Sequence, residues 1–167
     1  MFRFSNAAVR SLLVKALFLG FIAMPAFRVY AQSEQSPAGL TGSWWVTVTL
    51  YDCNTGVKRP PFTSILLFER GGTLAETTRN PTFQPGQRST GFGTWSQSQN
   101  STYRASDWAF IQFTAGPFQL GTQKIQHTIS LNNHGSAFTD DASVYFYDAA
   151  GALVQQGCAT ATGSRLR

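Results

Sequence analysis

Trp44-Trp45-Val46-Thr47-Val48-Thr49-Leu50-Tyr51 alternates with a period of two. Trp44, Val46, Val48 and Leu50 fall on one face and Thr47 and Thr49 on the other, the pattern of a strand half-buried in a sheet. From Leu40 onward short apolar stretches of this kind alternate with turn residues, and no segment of ten residues carries helical periodicity.

Composition agrees. Of 167 residues, 43% are hydrophobic and 14% aromatic, while only 13% are charged, about half the usual ~25%. Disordered chains are charged and poor in aromatics, so this one is expected to fold. Fourteen Phe and fifteen Gly, with many Thr and Ser, favour strands over long helices.

Working outward from the first strand, seven more are expected. Ser64–Arg70 and Thr73–Thr78 flank Gly71-Gly72, a hairpin signal. Residues 79–89 contain Asn80-Pro81 and Gln84-Pro85-Gly86 and read as a loop. Thr90–Ser96 is a glycine-rich strand, and Gln97–Ser101 turns the chain into the long aromatic segment Thr102–Phe113. Lys124–Asn132 alternates cleanly, and Phe138–Asp148 and Leu153–Thr162 form a last hairpin around Ala149-Ala150-Gly151. Eight strands joined by short turns imply an all-β fold, an antiparallel up-and-down barrel with room for side chains or one ligand. A two-sheet sandwich is the alternative. Glycines in the fourth strand lean toward the barrel, whose corners need local bending.

The N-terminal segment differs from the rest. Arg3, Arg10 and Lys15 precede an apolar run from Ala16 to Met24; Pro25 ends it, and Val29-Tyr30-Ala31 offers a small-residue cleavage pattern. That order is a secretory signal peptide, and the run is short of the ~20 residues a membrane span needs. The expected division is a signal peptide over residues 1–31, a flexible leader over 32–40 and one barrel domain over 41–167, the mature chain being secreted or periplasmic. The formal charge of +5 then belongs to the precursor. Four of the thirteen basic residues leave with the signal, and nine remain against eight acidic ones, a net +1. Nucleic acid is therefore not an expected partner, and the mature chain has no stable membrane span. Cys53 and Cys158 are the only cysteines, and in an oxidising compartment they are expected to pair.

Leu40-Thr41-Gly42-Ser43-Trp44 opens the first strand, and its Gly-x-Trp step resembles the calycin superfamily of lipocalins, avidin-like proteins and small bacterial barrel inhibitors. The resemblance covers residues 40–167. It implies that Trp44 sits at the closed end of the barrel under a basic residue from the last strand, for which Arg165 and Arg167 are the candidates. A register that sets Cys53 opposite Cys158 puts Trp44 opposite Arg167 and Val46 opposite Arg165. Cys53 lies nine residues after Trp44, on the other face. Either the disulfide lies outside the barrel, or the strand has ended or bulged by Asp52. The chain lacks the biotin-contact pattern of avidin and the mid-chain Thr-Asp-Tyr step of secreted lipocalins, so neither activity carries over.

Chemistry is sparse. There is no Gly-x-Ser-x-Gly, phosphate loop, His-Glu-x-x-His or Cys-x-x-Cys. No cofactor, metal or catalytic residue is therefore assigned. His127 shares a face with Ile125, Ile129 and Leu131, as a core histidine or a ligand contact. Asp107 and Glu76 lie on strands, where solvated faces are the default for carboxylates. Trp44, Tyr103, Trp108, Phe110, His127 and Phe146 are the candidate ligand contacts, with core packing as the plain reading for the aromatics.

The leading expectation is an exported barrel that binds an apolar or amphipathic small molecule in an interior cavity of about a few hundred Å3. A protease inhibitor or envelope factor acting through loop 79–89 or the leader is the first alternative. A cofactor-free isomerase or cyclase is the second. It requires an inward acid–base group, and a solvent-facing His127, Asp107 and Glu76 would remove it. Binding is favoured over catalysis.

Overall fold

The computed structural model describes residues 39–116 and 119–166. Eight strands follow in order: β1 (Gly42–Tyr51), β2 (Phe62–Phe68), β3 (Thr73–Thr78), β4 (Gly91–Gln99), β5 (Thr102–Phe110), β6 (Thr122–Leu131), β7 (Ala137–Tyr147) and β8 (Leu153–Arg165). Each pairs antiparallel with the next, and β8 pairs with β1, so the sheet closes into an up-and-down barrel. Closure excludes the sandwich, which would leave β1 and β8 unpaired with each other. No helix among the described residues is long and apolar enough to cross a membrane. The signal-peptide reading of residues 1–31 and most of the leader 32–40 lie outside the described residues. The leader's last residue belongs to the barrel. Leu40 is fully buried, and its carbonyl accepts a hydrogen bond from Trp44 Nε1 at 2.8 Å.

Strand ends differ from expectation by a few residues. Gly71 and Gly72, at φ +100° and +89°, make the turn between β2 and β3. Gln97–Gln99 extend β4, and the turn tightens to Asn100 and Ser101. Beyond Phe110 only an isolated bridge from Ile111 to Arg88 continues β5. β8 runs on to Arg165 because it pairs with β1 as far as Trp44.

The closing register corrects an expectation. Trp44 faces Arg165, not Arg167, and Tyr51 faces Cys158. The offset of two arises because Cys53 is not a strand residue. β1 ends at Tyr51, and Asp52–Val57 turns the chain, with a backbone bond from Asp52 N to Val57 O. Cys53 and Cys158 do form the disulfide, with Cα atoms 5.3 Å apart. It bridges that turn to β8 on the outer side of the barrel, where Cys158 alternates with the inward Ala159.

At the closed end the Arg165 guanidinium lies over the Trp44 ring at 4.2 Å. It donates to three carbonyls, those of Gly39, Thr41 and Gly135. It thus ties the segment before β1 to the β6–β7 turn, while adding a cation–π contact. Gly42, at φ +125°, is needed beside it, since a Cβ there would lie 2.7 Å from Arg165 Nη1. Arg167 lies outside the described residues.

The barrel interior is layered. Trp44, Phe68, Leu74, Tyr103, Ile129, Leu131 and Phe138 fill the closed end. Trp44 and Phe138 pack edge-on at 5.0 Å between ring centres. Gly163 on β8 gives Phe138 its space, since a Cβ there would overlap the phenyl ring. A Gly163→Ala protein is expected to lose about 1–3 kcal/mol of stability, as other overpacked cores do. An unchanged urea midpoint would mean that Phe138 has room to move.

Candidate functional site

Above the aromatic layer the interior is charged. Alternation places Glu76 of β3, Asp107 of β5, His127 of β6 and Asp140 of β7 on inward positions, and all four are buried. The expectation of solvated carboxylates at Glu76 and Asp107 is therefore wrong; Asp107 is 0% exposed. Its room comes from Gly91 on β4, where a Cβ would overlap the Asp107 carboxylate. The next residue in sequence, Asp141, points outward, as strand alternation requires.

The cluster is continuous. His127 Nδ1 lies 2.6 Å from Asp140 Oδ2 and His127 Nε2 lies 3.0 Å from Asp107 Oδ1. Arg88 enters from the β3–β4 loop. Its Nη2 pairs with Glu76 Oε2 at 2.7 Å and approaches Asp107 Oδ2 at 3.9 Å. Its Nε donates to Gln123 Oε1 and its Nη1 to the Ser89 carbonyl. Ser64 Oγ donates to Glu76 Oε1 at 2.9 Å.

Burial alone would lower the His127 pKa. Hydrogen bonds to Asp107 and Asp140, and then their charges, outweigh it and push His127 up to about 10. The ring is thus an imidazolium at neutral pH, donating one N–H to each carboxylate. Burial raises Glu76, with Asp107 adding to the rise, against the opposing charge of Arg88 and hydrogen bonds from Ser64 and Arg88. Buried ions cost several kcal/mol each in desolvation unless well paired. Asp140 Oδ1 is buried and accepts no hydrogen bond from the protein.

Two neighbouring spaces lie on the open side of this cluster, and the inner one reaches it. A chamber of about 50 Å3 has Val46, Val48, Leu66, Ile125 and Ala161 among its walls, and Glu76, Arg88, His127 and Asp140 also line it. A wider cleft of about 520 Å3 occupies the open end, between the Cys53 turn, Thr82, Phe113, Phe146 and Gln155. Leu50, Asn80, Phe83, Gln123 and Val144 line both and form the boundary between them. The expected few hundred Å3 therefore lie at the mouth, and the deep interior is much smaller because charged side chains occupy it.

Of the expected ligand contacts, the structure brings His127 to the chamber and Phe146 to the mouth. Trp44 and Tyr103 are packed into the closed-end core instead. Trp108 and Phe110 point outward, 46% and 68% exposed. They share a strand face opposite to that of Tyr103 and Asp107, so they could not join the interior set. Trp108 instead stacks on Tyr147 at 5.5 Å and carries Lys124 over its ring. Loop 79–89 is not simply a surface element, since Phe83 lies at the boundary of the two spaces and Arg88 enters the barrel.

Arg88, Gln123 and Asp140 are the site residues that sequence reasoning passed over, while Asp107 and Glu76 were weighed only as groups of the isomerase or cyclase reading. Asp140 had a signal, sharing parity with Phe138 and Val144 on an alternating strand. Arg88, in a loop, had none. No group of three or more His, Cys, Asp or Glu side chains among the described residues is arranged to hold a metal ion. Compared with protein-family models, with curated proteins and with solved structures, the chain matches none.

Proposed function

We propose that this protein is an exported, calycin-like barrel that binds an amphipathic small molecule through its open end. The observation that carries the reading is the set of residues the two cavities share, which would form a throat between them. A 520 Å3 mouth, within the usual size range of ligand sites, narrows through Leu50, Phe83 and Val144 to a chamber with apolar walls and charged groups at depth. The body of the ligand would lie in the mouth against Phe83, Val144 and Phe146, and its polar end would enter the chamber. The calycin-like assignment is supported by Gly42-x-Trp44 lying under Arg165. Export is supported by the closed disulfide and by the basic, apolar, small-residue order of residues 1–31.

Native mass spectrometry of the gently purified protein should show a bound mass that is lost on denaturation. A neutral apolar dye should bind saturably, one per chain, and Val144→Trp, which fills the throat, should weaken it at least about tenfold. An empty protein that also ignores the dye would move the assignment to a filled barrel acting through its loops.

The isomerase or cyclase reading gains one specific observation, because the acid–base groups it requires face inward. His127 holds its proton too firmly to act as a base at neutral pH, which leaves Glu76, with its raised pKa, as the group to exchange a proton. Isomerisation of a displacing ligand that is lost in Glu76→Gln would favour this reading over simple binding.

A further inference from the structure

We propose that the molecule bound in the barrel carries a primary ammonium head, which docks in the chamber against Asp140 Oδ1. This rests on the ligand-binding reading above and adds the chemical class of the ligand. Three observations converge on it.

The first is which hydrogen-bonding capacity is left over. Arg88 donates from Nε to Gln123 and from Nη1 to Ser89, while its Nη2 lies in ion-pair range of Glu76 Oε2 and Asp107 Oδ2, three atoms that oppose one another in charge although none of them makes a hydrogen bond. Both ring nitrogens of His127 are taken by Asp140 and Asp107. Each cation thus already faces carboxylates of the protein itself. Of the carboxylate oxygens without a hydrogen bond, Glu76 Oε2 and Asp107 Oδ2 face Arg88, whereas Asp140 Oδ1 faces no cation of the protein and belongs to a residue 95% buried that lines the chamber. A buried carboxylate oxygen without a donor costs more than a paired one, and an incoming N–H restores the pair.

The second is charge. The connected cluster holds three carboxylates, Glu76, Asp107 and Asp140, against two cations, Arg88 and His127. With all three carboxylates ionised, one negative charge is in excess beside a space walled by Val46, Leu66, Ile125 and Ala161. A cationic head brings the cluster to neutrality, whereas a carboxylate head would add a second uncompensated charge in a low-dielectric site.

The third is size. A chamber of about 50 Å3 takes a head no larger than a few waters. A primary ammonium and its first methylenes fit, whereas a trimethylammonium of similar volume brings no N–H donor. The three N–H donors of the primary ammonium suit a site whose vacancy is an acceptor. The alkyl or aryl body then passes Leu50, Phe83 and Val144 into the mouth.

The test is a matched series titrated by calorimetry at neutral pH into protein expressed from the full chain and purified with its disulfide closed. The probes are decylamine, decanol, decanoate and decyltrimethylammonium. Decylamine is expected to bind at least about tenfold more tightly than each of the others, and Asp140→Asn to erase that preference while decanol binding persists. Should Asp140→Asn fail to fold, the wild-type series decides by itself. Equal binding of decanol, or tighter binding of decanoate, overturns the cationic head while leaving the ligand-binding reading in place. Equal binding of decyltrimethylammonium overturns the docking of an N–H against Asp140 Oδ1. Binding of none of the four overturns the inference and the reading beneath it together.

Discussion

A His127→Ala protein is expected to lose about 3–5 kcal/mol of folding stability, the usual cost of breaking a buried ion pair from one side. At roughly 3–5 °C per kcal/mol for a domain of this size, the melting temperature should fall by about 10–20 °C. The effect is large because one ring serves two carboxylates. Removing it leaves Asp107 and Asp140 buried in the barrel without their shared partner, and Arg88 pairs with Glu76 and Asp107 but not with Asp140. His127→Gln, which keeps a donor, should recover part of the loss. A midpoint within about 1 kcal/mol of wild type would show that water reaches the cluster freely.

The same ring sets the pH dependence. His127 titrates near 6.5 in the unfolded chain and at about 10 in the folded one. Below pH 6.5 it is protonated in both states, and its contribution to stability is complete. Between 6.5 and 10 only the folded state holds the proton, so stability falls by up to about 1.4 kcal/mol per pH unit. Above 10 the contribution is gone. Glu76, raised above its ordinary 4.5 by burial, acts in the same direction from lower pH, since its folded form also holds a proton more tightly. Urea midpoints should therefore fall steadily from pH 5 to pH 9, and His127→Gln should flatten the upper part of that slope. A midpoint that rises toward pH 9 would mean a neutral imidazole in the folded state.

The strands were legible because a half-buried strand writes its period into the sequence. All eight expected strands are present, and closure of the sheet fixes which face of each is inward. The register of β1 on β8 differs by two from the one that sets Cys53 opposite Cys158, because Cys53 lies in a turn beyond the end of β1. The interior was harder to read for a different reason. Size suggested that the largest aromatics should face a ligand, yet Trp108 and Phe110 lie outside, and the inward positions flanking Asp107 are the small Ala105 and Ala109. Those small side chains, with Gly91 opposite, leave the volume that the carboxylate and His127 occupy. His127 was readable from its apolar neighbours Ile125 and Ile129. The partners that turn it from a core histidine into an ion-paired one come from β5 and β7, and only strand pairing brings them together.

Replacing Cys53 and Cys158 by serine is expected to cost about 2–4 kcal/mol, with a drop of about 6–15 °C in melting temperature. The bridge closes a loop with a sequence separation of 105, for which chain entropy alone gives about 4–5 kcal/mol. The smaller figure allows for structure that the reduced, unfolded chain retains. The native shape should survive the change. The turn that carries Cys53 is built locally, with Asp52 Oδ1 accepting from the backbone of Asn54 and Thr55 and from the Thr55 hydroxyl. The ladder next to it runs from Tyr51 opposite Cys158 to Trp44 opposite Arg165 without needing the sulfurs. Near-ultraviolet spectra of the double serine variant should therefore match wild type at 20 °C, while its urea midpoint falls. The mouth should respond more than the closed end, because Cys53 and Cys158 both line the cleft and the Trp44–Arg165 layer does not. Hydrogen exchange should speed up in residues 52–57 and at the start of β8, and remain slow in β1 around Trp44. Uniform acceleration would instead mean that the barrel opens only as a whole, so that the bridge stabilises every part of it equally.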